Sequence, residues 1–121
     1  MIKVEQKAEN IYEGIANMMA GAKDDYIQMS TSYGKKELQG YSKEQVDNWD
    51  NKTKVSMGKK YIKIVQDTGV FAFVMKEDSG RFKKGDILKA AGYNKPALNS
   101  ARGNVLTGNY AIQWTGPLYL K

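Results

Sequence analysis

Apolar positions divide the chain into two regimes. In EQKAENIYEGIANMMAG, residues 5–21, Ala8, Ile11, Tyr12, Ile15, Met18 and Met19 recur at intervals of three and four, which gathers them on one face of a helix. The pattern predicts an amphipathic helix stopped by Gly21. AKDDYIQMSTSY, residues 22–33, reads as a second short helix, entered at the Asp24-Asp25 pair and ended by Gly34. In SKEQVDNWD, residues 42–50, Ser42 and Gln45 form a capping-box pattern and Val46 and Trp49 share one side, so a third short helix is expected.

Beyond about residue 58 the period changes to alternation. KYIKIVQ, residues 60–66, is followed by Asp67-Thr68-Gly69 and then VFAFVMKE, residues 70–77, a strand–turn–strand signal with Gly69 free to take positive φ. Val70, Ala72 and Val74 fall on one side of the second strand and Phe71, Phe73 and Met75 on the other. A strand apolar on both faces belongs in the middle of a sheet. Helices cover only one of those faces, so the second must meet another sheet, another subunit or a ligand, and Phe71 and Phe73 are the candidate interface residues. Asp78-Ser79-Gly80 and Lys84-Gly85-Asp86 are further turns. Ile87 and Leu88 fit a strand or a short helix equally. YAIQWTG, residues 110–116, is a strand ended by Gly116-Pro117, and LYLK, residues 118–121, is a candidate final edge strand.

The predicted architecture is α+β, with N-terminal helices packed on an antiparallel β-sheet of four to six strands. One domain spans residues 1–121, helical over 1–57 and sheet over 58–121, in keeping with a length that buries roughly two thirds of the unfolded surface. Neither Cys nor His occurs, so disulfides, thiolate or imidazole metal sites and imidazole bases are excluded, and no cofactor or metal is expected. Glu77, Asp78 and Asp86 lie at turns beside lysines, where solvated ion pairs are the plain reading. A non-enzymatic role follows. Residues 1–20 have no continuous apolar run, which points to a cytoplasmic protein with no membrane partner.

Charge is distributed unevenly. Residues 1–50 carry six Lys against nine acids, net −3, and residues 51–121 carry thirteen Lys and Arg against four acids, net +9. Asp86 is the last acidic side chain. The final 35 residues present Lys89, Lys95, Arg102 and Lys121 with no side-chain carboxylate, a surface that concentrates anions. Self-association of acidic and basic parts is the bland alternative.

The segment NKPALNSARGNVLTGNY, residues 94–110, has Asn at every fifth position and no acid. Asn offers donors and an acceptor on one plane, Gly admits close backbone approach to phosphate, and Arg grips phosphate with a planar fork. Only two Arg stand among seventeen Lys, so Arg81 and Arg102 are the candidate cations. Asn94, Asn99 and Asn104 are the candidate amides, although Asn and Gly also simply make turns. Phe82, between Arg81 and Lys83-Lys84, is either a stacking platform for a base or a core anchor at a strand end. No phosphate-binding glycine motif occurs.

The run RFKKGDILKAAGYNKPALNSARGN leading to YAIQWTGP, with the length and the helices-then-sheet order, resembles small phage proteins that counter the bacterial Thoeris defence by sequestering its nucleotide signal. The resemblance spans residues 60–121. It implies a sponge that binds a cyclic ADP-ribose isomer without cleaving it in the infected cell, as a homodimer or a larger assembly of dimers. Relatives are implied to trap cyclic oligonucleotides at a separate site. The implied stacking residue falls on Phe82, the amide contact in the Asn94–Asn104 loop and the arginine contact on Arg102. Two other classes stay open: a small basic nucleic-acid-binding module, and a protein inhibitor of a host factor.

Overall fold

The apolar stripe that starts at Ile11 runs on past Gly21, giving one helix, α1 (Ile11–Ser30), where two were expected. The computed structural model describes residues 1–118. Asn10 starts α1, its side-chain oxygen accepting the Glu13 N–H at 2.9 Å, a cap of ordinary kind. Gly21 is no stop: a Cβ there would stand 2.8 Å from Val4 Cγ2 and 3.2 Å from Ile112 Cγ2, so its role is close packing. Gly14 does the same against the Val105 carbonyl, 2.5 Å from its would-be Cβ. The helix ends where the Thr31 hydroxyl donates to Ile27 O at 2.8 Å. Met18 and Ala22 are fully buried, and covering a side chain of Met18's size is worth roughly 1.5–3 kcal/mol.

Helix α2 (Gly40–Asp47) begins two residues before the predicted cap, with Gln39 at the N-cap and no side-chain capping bond. Ser42 therefore sits inside the first turn. Val46 and Trp49 are buried as their spacing suggested.

Strand β1 (Ile2–Val4) precedes both helices, and β2 (Thr53–Met57) extends strand structure into the part expected to be helical. The central strands are β3 (Tyr61–Gln66) and β4 (Gly69–Met75); β5 (Ile87–Leu88), β6 (Ala90–Gly92), β7 (Lys95–Pro96), β8 (Tyr110–Gln113) and β9 (Gly116–Pro117) follow. They form two antiparallel sheets, ordered β2-β3-β4-β5 and β1-β8-β9, and a β6-β7 ribbon. The single sheet of the sequence reading is thus divided, and Gly116-Pro117 pairs with β8 instead of ending it. Of LYLK, residues 119–121 lie outside the described residues. Among the described residues no helix is long and apolar enough to cross a membrane.

Alternation along β4 is broken by a bulge. Ile64 pairs with Ala72 and Val65 with Val70, leaving Phe71 as an extra residue that turns toward the main core. Phe71, Ala72 and Val74 consequently share that core with α1, β3 and β8, while Phe73 and Met75 face away from it. The Asn-rich segment is not a free loop. Arg102 N–H donates to Ile87 O and Ile87 N–H to Gly103 O, both at 2.8 Å, and Val105 N–H donates to Gly85 O at 2.9 Å, so residues 102–105 run alongside β5 as an irregular extra strand.

Tyr110 anchors the end of this segment, 5% exposed, with a buried hydroxyl that has no hydrogen-bond partner among the described residues. Burial raises its pKa above the ordinary value of 10.0. Above that value the unfolded phenol releases a proton that the folded one keeps, so stability falls as pH rises. Tyr110→Phe is expected to melt no lower than the parent at neutral pH and to lose less stability between about pH 9 and about pH 11, as read by thermal denaturation.

Candidate anion-binding site

The second face of β4 is covered in part by its own chain. Phe73, Met75 and Leu88 form a small buried cluster, and Tyr61, Val70, Phe82, Ala90 and Ala101 pack against it. Phe73 is 3% and Phe71 4% exposed in the single chain. Each offers little surface to a subunit contact beyond the edges that reach the clefts described below: the bulge buries Phe71 in the main core, and Ala90 and Ala101 pack against the Phe73 cluster.

Beside this cluster the covering stops and a cleft of about 430 Å³ opens, with Lys59, Lys60, Lys63, Tyr61, Phe73 and Asn94 among its lining. The β2–β3 hairpin builds one wall. Gly58 N–H donates to Tyr61 O at 2.9 Å, and a Cβ on Gly58 would stand 2.8 Å from that same oxygen, so the tight turn that presents Lys59 and Lys60 requires glycine. Tyr61 and Phe73 meet edge to face, with centroids 6.2 Å apart at 76°. Opposite, Lys63 Nζ donates to Asn94 Oδ1 at 2.9 Å and to Tyr93 O at 3.4 Å, and lies 4.0 Å from the centre of the Tyr93 ring.

Among the described residues three ammonium groups line this cleft and no carboxylate does. Such a cavity attracts phosphate, aromatic rings beside cations suit a base, and the exposed Asn94 amide supplies a donor for a base edge or ribose.

Of the six residues expected to bind ligand, Asn94 alone lines this cleft. Arg81 is engaged with the chain itself, its Nη2 donating to Leu98 O and, at 2.6 Å, to Asn99 O. Its guanidinium lies 4.9 Å from the centre of the Phe82 ring. Phe82 is half-buried against the second cluster and exchanges backbone hydrogen bonds with Ser79 at 2.9 and 3.0 Å. The core-anchor reading describes it, with Arg81 over its ring. Asn99 Oδ1 accepts the Ser100 N–H at 2.8 Å and lies 3.5 Å from Arg102 Nη2. Arg81, Phe82, Asn99 and Arg102 are thus linked, but by contacts that shape the loop. Asn104 is wholly structural: its amide nitrogen donates to Lys84 O and Asp86 Oδ1, both at 2.9 Å, and its oxygen accepts the Leu106 and Thr107 N–H groups at 2.8 and 3.3 Å. No ligand-facing valence is left to it.

Arg102 keeps two buried polar atoms, Nε and Nη1, without a partner among the described residues. Nearby Lys89, whose Nζ donates to Pro117 O at 3.0 Å, has its pKa lowered by burial and secondarily by the Arg102 charge. Desolvated guanidinium donors cost stability until an anion meets them. Arg102→Met is therefore expected to raise the free protein's stability by about 1 kcal/mol, measured by urea denaturation. A loss of similar size would show the guanidinium to be satisfied.

Lys59, Lys60, Lys63 and Tyr61 were passed over in the sequence reading, although GKKYIK, residues 58–63, carries the signal of cations interleaved with an aromatic residue. Among the described residues no group of three or more His, Cys, Asp or Glu gathers where a metal could sit. No protein-family model, curated protein or solved structure matches this chain.

Proposed function

We propose that the protein binds a phosphate-bearing nucleotide in the cleft between the β2–β3 hairpin and Asn94, and holds it without chemical change. The observation that carries this reading is the conjunction of Lys59, Lys60 and Lys63 with Tyr61, Phe73 and Asn94 in a cavity that no carboxylate of the described residues lines. Its volume lies within the range of small-molecule sites, roughly 300–1,000 Å³. The resemblance of residues 60–121 to Thoeris-countering phage proteins narrows the proposed ligand to a cyclic ADP-ribose isomer and the proposed role to sequestration of an immune signal. Under this reading Lys63, fixed by Asn94 and Tyr93, holds a phosphate, the exposed Lys59 and Lys60 side chains meet a second one, and Tyr61 supplies a ring for the base.

The proposed homodimer needs another contact surface than Phe71 and Phe73. Val55 and Met57, 45% and 47% exposed on edge strand β2, flank Ser56 of the cleft and suit that role. A thermal-shift series separates the readings. Cyclic ADP-ribose isomers should raise the melting temperature saturably, by several degrees at ligand concentrations about 100-fold above Kd. Stabilisation that grows with oligonucleotide length and collapses with salt would instead identify a nucleic-acid-binding module. No shift with any nucleotide would favour inhibition of a host protein.

A further inference from the structure

A second cleft, of about 340 Å³, lies away from the lysines, where α2, the β3–β4 turn and the β8–β9 turn converge. Tyr26, Tyr41, Trp49, Phe71 and Trp114 contribute to its walls. Tyr26 packs on Trp49 with centroids 5.9 Å apart and on Trp114 at 5.1 Å, the latter edge to face at 74°. Tyr41, 70% exposed on α2, stands at its rim. Among the described residues no Lys or Arg lines this cleft, and the one carboxylate that does is Asp67, held in the turn at φ +59°.

A second observation is independent of the shape. Trp49 is 3% exposed, and its indole N–H is buried without a partner among the described residues, whereas the Trp114 N–H has Met29 Sδ at 3.2 Å. A buried donor left unmade costs about 1–3 kcal/mol, and because no solvent reaches this atom in the free chain, an occupant's acceptor relieves that cost only where the wall shifts to admit it. Gln45 also lines the cleft and offers an amide to a polar edge.

These features define the occupant. Aromatic walls and an open Tyr41 ring call for a flat apolar face, the Trp49 donor calls for an acceptor, Asp67 calls for a donor, and the absence of cations from the lining with one carboxylate at its edge disfavours phosphate. We infer that this cleft binds an uncharged purine, as free base or nucleoside, with chemistry opposite to that of the lysine cleft.

The chain's two tryptophans both line this cleft and neither lines the other, so tryptophan emission reports on it selectively. Titration with adenosine and guanosine should quench that emission saturably, and the corresponding 5′-monophosphates should bind at least about 5-fold more weakly because Asp67 repels them. Tyr41→Ala, at an exposed position, should weaken nucleoside binding about 10-fold through lost stacking. Trp49→Phe, which keeps a ring and removes the donor, should weaken it about 10-fold as well. Absence of saturable quenching by either nucleoside, tighter binding of the monophosphates, quenching by tetramethylammonium but not by purines, or unchanged affinity in Tyr41→Ala would each overturn the assignment. A Trp49→Phe variant that folds and binds as well as the parent would overturn it too. None of these outcomes depends on the lysine cleft, so the two readings fail separately.

Discussion

Gly108→Ala is expected to destabilise the fold by about 3 kcal/mol or more. Gly108 has φ +71°, where a side chain is strained, and its added Cβ would press on the Gln6 carbonyl and stand 2.6 Å from Glu5 O. Both obstacles are backbone, so no rotamer change relieves them. The surrounding hydrogen bonds spread the damage: Gly108 N–H donates to Asn104 O at 3.0 Å and Ala8 N–H to Leu106 O at 2.9 Å, tying this turn to the segment between β1 and α1. A useful control is Gly34→Ala, with φ +88° but open space around its would-be Cβ, which should cost only about 1 kcal/mol. Urea denaturation of both variants checks the difference, and equal losses would mean that strain alone, not the close approach, decides them.

Reversing two charges in the lysine cleft should have the largest effect on binding. Lys60→Glu with Lys63→Glu replaces two ammonium groups of the lining by carboxylates, and also removes the Lys63 bond to Asn94 at 2.9 Å. Affinity for a nucleotide with two phosphates is expected to fall at least about 100-fold, equivalent to about 2.7 kcal/mol. Stability should fall by no more than about 1 kcal/mol, because neither side chain belongs to the core and the Lys63 contacts that are lost are exposed. Titration calorimetry together with a melting curve separates the two effects. Retained affinity in a folded double variant would remove this cleft from the function.

Much of the helical layer was legible because its apolar spacing survives to Tyr26 without interruption, yet the glycine at position 21 reads equally as a stop or as a point of close packing. Only the neighbours, Val4 and Ile112, decide between them, and both are distant in sequence. For the same reason β1 was hidden: three residues carry no usable period, and their partner, β8, begins at Tyr110. β2 was missed because Thr53–Met57 is an edge strand with four of its five residues exposed, so burial never imposed an alternating pattern on it. The two apolar faces of β4 were visible, but the one-residue bulge that sends Phe71 to the main core is a property of pairing with β3.

The candidate site was legible in its charge and obscured in its residues. Fields follow from composition, and the basic C-terminal part did produce a cleft without carboxylates. Asparagine, however, bonds backbone as readily as ligand, and Asn99 and Asn104 serve turns, so regular spacing in sequence carried no information about a shared pocket. Arg81 was likewise consumed by carbonyls of the loop it holds. Rarity does not mark the lysines of the β2–β3 hairpin in a sequence with seventeen Lys; position on a tight glycine turn is what presents them to the cleft.

Equilibrium dialysis against a cyclic ADP-ribose isomer at physiological ionic strength, with the retained nucleotide recovered by denaturing the protein and weighed by mass spectrometry, addresses capture in the lysine cleft most directly. Saturable retention of unaltered nucleotide, at no more than one molecule per cleft and lost with Lys60→Glu and Lys63→Glu, is the expected result. Recovery of a linear or hydrolysed product, or no retention at all, would contradict it.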